Sequence, residues 1–535
     1  MKAHDKKTGH EYLWVVLISL GIVAAASVPY IVGYAITPAG YHYLGFSYDF
    51  DDICAYLSWM RQAAEGHFFL QNLFTTEPQS GHGFNLLFFV LGSFARVTHL
   101  PPEIVFHLAR VVFGFLLLLA TYKFSGIWLK DSRSRIIGLL MVGLSAGFGG
   151  YFLGRTMVNS PVDLWQPEAI TFLSIYFSPL FTLPMILMIG SLYFLFKYAE
   201  GGDWKNAAYA GLMLFLLANI HTYDLIPMAL VWLLYSIHKG SWSGFRAFKG
   251  GLIASVVALP MVAYQAYFYM SEPVFRARAA VPTLSFGFHW YVLGYGFLVP
   301  LAGIAIWAAK KEKRDLSLLT RWVIAGFISA YLPLPFQRKL IMGTHIPFAI
   351  LGTLGLVWLM DHLKTRHKNV LPIVLIFLML PSNLRFLLRD TRMLQENRTY
   401  TAGSLPYVTT DEMDALRYLK DHGKPDDIIL AHPGFSCIIP SHAGLRVYCG
   451  HWGETADFGG KLAKMFAFFK WDTPDQYRLS LLQDERITYV VEYHKGMYWR
   501  DTNADFATER PKYLIPVFES EVLTVYRVYR RHSPH

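Results

Sequence analysis

The sequence predicts a mainly α, polytopic transmembrane helical bundle of about eleven spans, with interfacial helices in its first outer loop and a C-terminal soluble α/β domain. Three observations predict it. Of 535 residues, 54% are hydrophobic and only 16% are charged, against about 25% charged in soluble proteins. Apolar runs of spanning length recur as far as Leu388. From about Thr399 the texture turns to mixed polar and apolar residues. The reading divides the chain into a membrane domain, 1–390, and a soluble domain, 391–535.

The apolar runs lie at 13–36, 104–129, 136–153, 178–198, 207–220, 225–237, 252–270, 291–309, 322–334, 341–360 and 371–388. The first is long and lacks a small-residue cleavage site, so it reads as a span rather than a cleaved signal. Basic residues in short loops set the orientation. With Lys2, Lys6 and Lys7 in the cytoplasm, alternate loops carry Lys130/Arg133/Arg135, Lys197/Lys205, Lys239/Arg246/Lys249, Lys310/Lys311/Lys313/Arg314 and Lys364/Arg366/Lys368. The opposite loops hold Arg61, Arg96, Arg155, Arg276, Arg278, Arg338 and Lys339. This predicts a multi-pass plasma-membrane protein with a cytoplasmic N-terminus. The loop 37–102 and the C-terminal domain then share the outer face. The net charge is +10, yet from Asp390 onward 18 Lys/Arg meet 20 Asp/Glu. The basic excess therefore lies in the membrane half, where it suits cytoplasmic loops and anionic phosphates and argues against a nucleic-acid partner.

The first outer loop opens with Asp49, Asp51 and Asp52. Ile53, Tyr56, Leu57, Met60 and Ala64 then recur at helical spacing, which predicts an amphipathic helix lying on the bilayer and stopped near Gly66. Asp51 is suited to capping that helix, but three acids within four residues exceed what one cap needs. The apolar stretch 85–97 is too short to span comfortably and predicts a second interfacial helix. Pro102 marks the start of the next one. In the C-terminal domain, helices are expected at 410–422, 461–470 and 474–484. Strands are expected at 427–431, 445–449 and 487–492, with a hairpin over 515–529.

Charge at a membrane edge is costly and needs a reason. Glu77, Glu168, Asp224 and His221 fall on the predicted outer face. Asn219-Ile-His-Thr-Tyr-Asp224 joins two short spans, and His221 there is either a phosphate ligand or a satisfied loop histidine. Arg338 and Lys339, in a Pro-bracketed turn, fit a phosphate site or headgroup snorkelling, with the phosphate reading favoured. Arg276 and Arg278 are weaker phosphate candidates. Arg110, inside a span, needs a partner, for which Glu103 or an outer-loop acid is expected. The segment His432 to Glu454 reads as a packed loop or, with its aromatic faces, an acceptor groove. Cys437 and Cys449 can pair if their domain is extracytoplasmic. His42, His67, His82 and His99 show no ligand spacing. No metal is required, although a divalent cation bridging Asp51/Asp52 and a phosphate is compatible with the acids. There is no P-loop, dinucleotide fingerprint or nucleophile elbow.

Asp51-Asp52 with Tyr56, then Glu77-Pro78, then Leu100-Pro-Pro-Glu103 resemble the GT-C superfamily of polyprenyl-phosphate-sugar-dependent glycosyltransferases. The run Phe336-Gln-Arg-Lys-Leu-Ile-Met-Gly-Thr-His-Ile-Pro-Phe348 is similar to a late-span motif of bacterial members. The likeness covers about 13–388. It implies an inverting transfer of sugar from a polyprenyl phosphate to a glycan, lipid or protein acceptor, with Asp51 or Asp52 as general base. Glu77 would position the acceptor, with Tyr56, Glu168 and Asp224 among the substrate contacts. Many members carry Asp-Glu where this chain has Asp-Asp, which leaves the base between the two. A flippase for polyprenyl-linked glycans is the alternative. It ranks second because the polar groups cluster at one face and no internal repeat is found.

Overall fold

The computed structural model describes residues 2–152, 159–363, 367–399, 405–494, 506 and 511–529. Arg155, Lys364, Arg366 and the end of the third apolar run lie outside them. In chain order the helices begin with α1 (Lys2–Ala35), α2 (Phe50–Ala64), α3 (Leu86–Thr98), α4 (Pro102–Ser125), α5 (Ser132–Leu144), α6 (Thr171–Phe177) and α7 (Pro179–Gly201). They continue with α8 (Trp204–Ile220), α9 (Leu225–Lys239), α10 (Ser241–Ser271), α11 (Pro273–Ala279), α12 (Phe288–Tyr295), α13 (Leu298–Glu312) and α14 (Ser317–Ser329). The last are α15 (His345–His362), α16 (Leu371–Met379), α17 (Pro381–Gln395), α18 (Thr410–His422), α19 (Pro433–His442), α20 (Phe458–Phe469) and α21 (Asp475–Asp484).

Six helical stretches among the described residues are long and apolar enough to cross a membrane: His10–Ala35, Pro102–Ser125, Pro179–Gly201, Ser241–Ser271, Gln337–His362 and Lys368–Gln395. The pair α12 and α13 makes a seventh if taken as one span, bent by 82°. The bend has a local cause. Gly296 sits at φ +52°, and a Cβ there would stand 2.8 Å from the Gly147 Cα. Four other predicted spans form the shorter helices α5, α8, α9 and α14, of 13, 17, 15 and 13 residues. At 1.5 Å per residue, a 13-residue helix reaches about 20 Å, short of a core about 30 Å thick. Polar turns end these helices early, with His221–Asp224 between α8 and α9 and Ser145 after α5.

The chain forms two compact units. One comprises Met1–Pro29, Phe106–Tyr267 and Pro282–Arg389; the other comprises Tyr30–Val105, Phe268–Val281 and Asp390–His535. In the first unit α7 packs on α8, α9 on α14, and α13 on α15. The last pair approaches closely at Gly355, where a Cβ would meet the Leu301 carbonyl oxygen. Arg110 is buried here. Its guanidinium donates to the Ile175 carbonyl (3.2 Å), the Ser27 hydroxyl (2.9 Å) and His107 Nδ1 (3.5 Å). These acceptors come from α6, from α1 and from its own helix α4.

In the second unit the first loop is stitched to the C-terminal region. Strand β1 (Tyr41–Tyr43) pairs antiparallel with β2 (Tyr407–Thr409). The remaining strands are β3 (Ile428–Leu430), β4 (Arg446–Val447), β5 (Tyr489–Tyr493), β6 (Leu514–Glu519) and β7 (Leu523–Val528). They form a mixed sheet of order β4-β3-β5-β7-β6, with β3 parallel to β4 and β5, and β7 antiparallel to β5 and β6. Its core gathers Leu430, Tyr448, Met465, Phe468, Val490 and Tyr526. Helix α18 coincides with the expected one. It is fixed by a capping box in which Thr409 and Glu412 exchange side-chain and backbone hydrogen bonds. Helix α19 was not expected, because Pro433, Gly434 and Pro440 mask its pattern. Pro433 is tolerated in the first turn, where no backbone donor is needed.

Helix α2 departs from expectation. Phe50, Asp51, Ile53 to Met60, Gln62 and Ala63 are all buried. It packs against α3 and against α19, so it is an interior helix of this unit rather than one lying on the bilayer. The open apolar face belongs to α3, through Val90, Phe94 and Val97. The α2–α3 contact turns on Gly92, where a Cβ would lie 2.2 Å from the Met60 carbonyl oxygen and 2.6 Å from the Ala63 Cβ. Gly92→Val is expected to destabilise the protein by about 1–3 kcal/mol through overpacking. A melting temperature in detergent equal to that of the wild type would refute this.

Candidate active site

The acids open helix α2. Its N-cap, Asp49, has left-handed backbone angles (φ 49°, ψ 48°) and makes no side-chain cap bond. Asp51 and Asp52 therefore fall in the first turn, where unpaired backbone N–H groups favour negative charge. The two are not equivalent. Asp51 is 4% exposed, whereas the Asp52 side chain keeps 30% of its surface accessible. Asp52 Oδ1 lies 3.1 Å from Nε2 of His451, itself buried. The other ring nitrogen of His451, Nδ1, accepts from the backbone N–H groups of Gly453 (2.9 Å) and Glu454 (3.1 Å). Burial works against a charge on His451. The Asp52 hydrogen bond and the charges of Asp51, Asp52 and Glu454 outweigh it and lift the ring above its ordinary pKa.

The same unit holds two further ion pairs. Glu454, only 1% exposed, meets Arg278 Nε at 2.5 Å. It also accepts from Asn72 Nδ2 through Oε2 (3.1 Å). The Arg278 guanidinium lies over the Trp59 ring, 5.2 Å from its centroid. Glu77 accepts from Lys461 Nζ (2.7 Å) and from the Thr75 hydroxyl. Burial works to raise the Glu77 carboxyl, but the Lys461 and Thr75 bonds and the Lys461 charge hold it below its ordinary value. A carboxyl lowered on folding stabilises the protein fully above its unfolded-state pKa, and that contribution is lost as pH falls through the lower folded-state value. The melting-temperature gap between wild type and Glu77→Gln is thus expected to be constant at neutral pH and to close below the ordinary carboxylate range. A gap unchanged into acid would refute the pairing.

The first unit holds a separate set of cations. Arg338 and Lys339 lie in a short 3₁₀ turn, Gln337–Ile341. The Arg338 guanidinium stands over Trp165 (5.0 Å) and the Lys339 ammonium over Tyr223 (5.5 Å). Among the described residues neither makes a salt bridge. The turn is anchored through its backbone, with Arg338 N–H donating to the Thr283 carbonyl (3.1 Å) and Gln166 Nε2 donating to the Arg338 carbonyl (3.1 Å). Two cations held on aromatic faces without carboxylate partners can receive a phosphate. His221 and Asp224 pair with each other, Nδ1 to Oδ2 at 2.8 Å, both buried. Glu168 is also buried in this unit.

Of the residues expected from sequence, the second unit holds Asp51, Asp52, Glu77 and Arg278, with Asp52 on His451, Glu77 on Lys461 and Arg278 on Glu454. Arg276, on the same short helix as Arg278, is exposed, and its guanidinium donates to the Met270 carbonyl (3.5 Å). Tyr56 is 4% exposed and stacks on Phe88 in the α2–α3 contact (5.2 Å). Asp224 serves as the partner of His221. Sequence reasoning missed His451, Lys461 and Asn72. The Tyr448–Glu454 segment had drawn notice only for its aromatic and glycine content. All three cysteines, Cys54, Cys437 and Cys449, are free and buried, so Cys437 and Cys449 are not paired. The nearby Cys54 and burial raise the Cys437 thiol well above its ordinary pKa.

Three of these acids face a nitrogen-bearing side chain. Asp52 is engaged by His451, Glu77 by Lys461 and Glu454 by Arg278. Among the described residues no three His, Cys, Asp or Glu side chains converge to hold a metal ion.

No protein-family model and no curated protein matches the chain. Solved structures do. The oligosaccharyltransferase of Archaeoglobus fulgidus in its apo form aligns with a TM-score of 0.55 at 13% identity, over 90% of this chain and 69% of that one. ArnT from Cupriavidus metallidurans bound to undecaprenyl phosphate aligns at 0.53 and 14% identity, over 96% of this chain and 98% of that one. The mycobacterial arabinofuranosyltransferase AftD aligns at 0.55 and 15% identity, over 95% of this chain and 40% of that one. The chain therefore shares its fold with these membrane glycosyltransferases.

Proposed function

We propose that the protein is an inverting glycosyltransferase of the outer face of the plasma membrane. It takes a sugar from a polyprenyl phosphate and places it on a glycan, lipid or protein hydroxyl. The observation that carries the reading is a partly accessible carboxylate, Asp52, in the first turn of an otherwise buried helix. The fold supports it, since it is shared with a protein seen bound to undecaprenyl phosphate.

In this reaction an Asp carboxylate of α2 takes the proton of the acceptor hydroxyl as that oxygen attacks the anomeric carbon. The bond from that carbon to the phosphate oxygen breaks, and polyprenyl phosphate leaves with the electron pair. A single displacement inverts the centre and needs no covalent intermediate. Cationic charge on the phosphate stabilises the leaving group as it develops, and Arg338 and Lys339 are the phosphate-binding candidates of the first unit. No step is routed through a metal.

The test is release of free polyprenyl phosphate by purified protein from a panel of radiolabelled polyprenyl phosphate sugars, with water as slow acceptor. Release is expected with at least one donor. Tight binding of the lipids with no release from any of them would overturn the reading in favour of a flippase.

A further inference from the structure

We propose that His451 is a positioning residue that makes Asp52, rather than Asp51, the general base of the proposed transfer. The inference rests on that reaction and deepens it.

The argument is one of hydrogen-bond direction. Nδ1 of His451 accepts from two backbone N–H groups, those of Gly453 and Glu454. A nitrogen that receives two donors carries no proton of its own in the neutral ring. The single ring proton is therefore on Nε2, 3.1 Å from Asp52 Oδ1. If the ring becomes charged, Nε2 still carries a proton. In either state His451 donates to Asp52 and cannot accept from it, so the pair is not a relay. It holds Asp52 as a carboxylate acceptor in one rotamer.

The ring is itself held. It meets Phe74 edge-on (5.7 Å) and lies near-parallel to Trp452 (6.2 Å). Its backbone N–H donates to the Thr455 hydroxyl (3.3 Å), which in turn donates to the Phe74 carbonyl (2.7 Å). Asp51 is one residue away and buried. The accessible surface is on Asp52, which is where an acceptor hydroxyl must arrive.

Two variants separate positioning from packing. His451→Phe keeps a ring and removes the donor. His451→Gln keeps a donor N–H at a similar reach. His451→Phe is expected to lower kcat for polyprenyl phosphate release by about 10²-fold, the scale of a misplaced catalytic group. The KM for the donor should stay within about threefold, a split expected of an interaction made only in the transition state. The acid limb of its pH profile should move to higher pH, because the Asp52 carboxylate has lost its donor. His451→Gln is expected to recover most of kcat and of the limb.

Thermal melting and size exclusion report whether each variant is folded. If His451→Phe does not fold, His451→Gln carries the test alone. Folded His451→Gln with kcat down about 10²-fold, or folded His451→Phe with kcat within twofold of wild type, would overturn the proposal. Loss of activity in Asp51→Asn with retention in Asp52→Asn would overturn it while leaving the glycosyltransferase reading intact. Wild-type protein that releases no polyprenyl phosphate would sink the reading and this inference together.

Discussion

Asp52→Asn is expected to reduce release of polyprenyl phosphate by about 10²–10⁴-fold, the range that a positioned general base contributes. Asparagine is nearly isosteric, so the helix and its packing survive, yet the amide cannot take a proton from the acceptor. Its oxygen can still accept from His451 Nε2, so folding should be little affected. Asp51→Asn behaves differently. Asp51 is 4% exposed and lies against the interior of its unit, so the change is expected to alter stability more than turnover. The two variants, assayed beside wild type at saturating donor, give a direct comparison. Equal and small losses in both would remove the carboxylate base altogether.

Arg278→Ala is expected to cost about 3–5 kcal/mol of stability, because it strands a charge. Glu454 is 1% exposed, and Arg278 is its ion-pair partner. Asn72 remains as a neutral donor at 3.1 Å. The lower end of the range fits better, since the Arg278 side chain is itself 29% exposed and solvent weakens the pair. The guanidinium also covers Trp59, so some apolar contact is lost with the charge. A second variant isolates the electrostatic part. Arg278→Met with Glu454→Gln removes both charges, and it should recover much of the loss. Denaturant or thermal unfolding in detergent measures both. A single variant as stable as wild type would refute the pairing.

His451, Lys461 and Arg278 each face one carboxylate. All three come from segments distant in sequence from the first loop. The loop's Asp52 and Glu77 therefore meet their partners only when the C-terminal segment folds against the loop within the same unit.

Local signals in the sequence located the membrane half, the acid-bearing stretch, the Arg338-Lys339 turn and most of the C-terminal elements. Helix α18 was legible because its cap and apolar spacing lie within one segment. Strands β3, β5, β6 and β7 were legible because each is a short β-branched run. Span lengths were less so. Hydropathy marks an apolar run but does not show where a polar turn such as His221–Asp224 ends its helix. The burial of α2 could not be read at all. Its apolar spacing suits a bilayer surface as well as it suits α3 and α19, and α19 arrives from beyond residue 430. The choice between Asp51 and Asp52 lies at the same limit. The two are adjacent, chemically identical and in the same helical turn. What separates them is a hydrogen bond to a residue 399 positions away. Local propensity carries no information about such a contact, since it forms only when chain closure brings α2 and the His451 turn together.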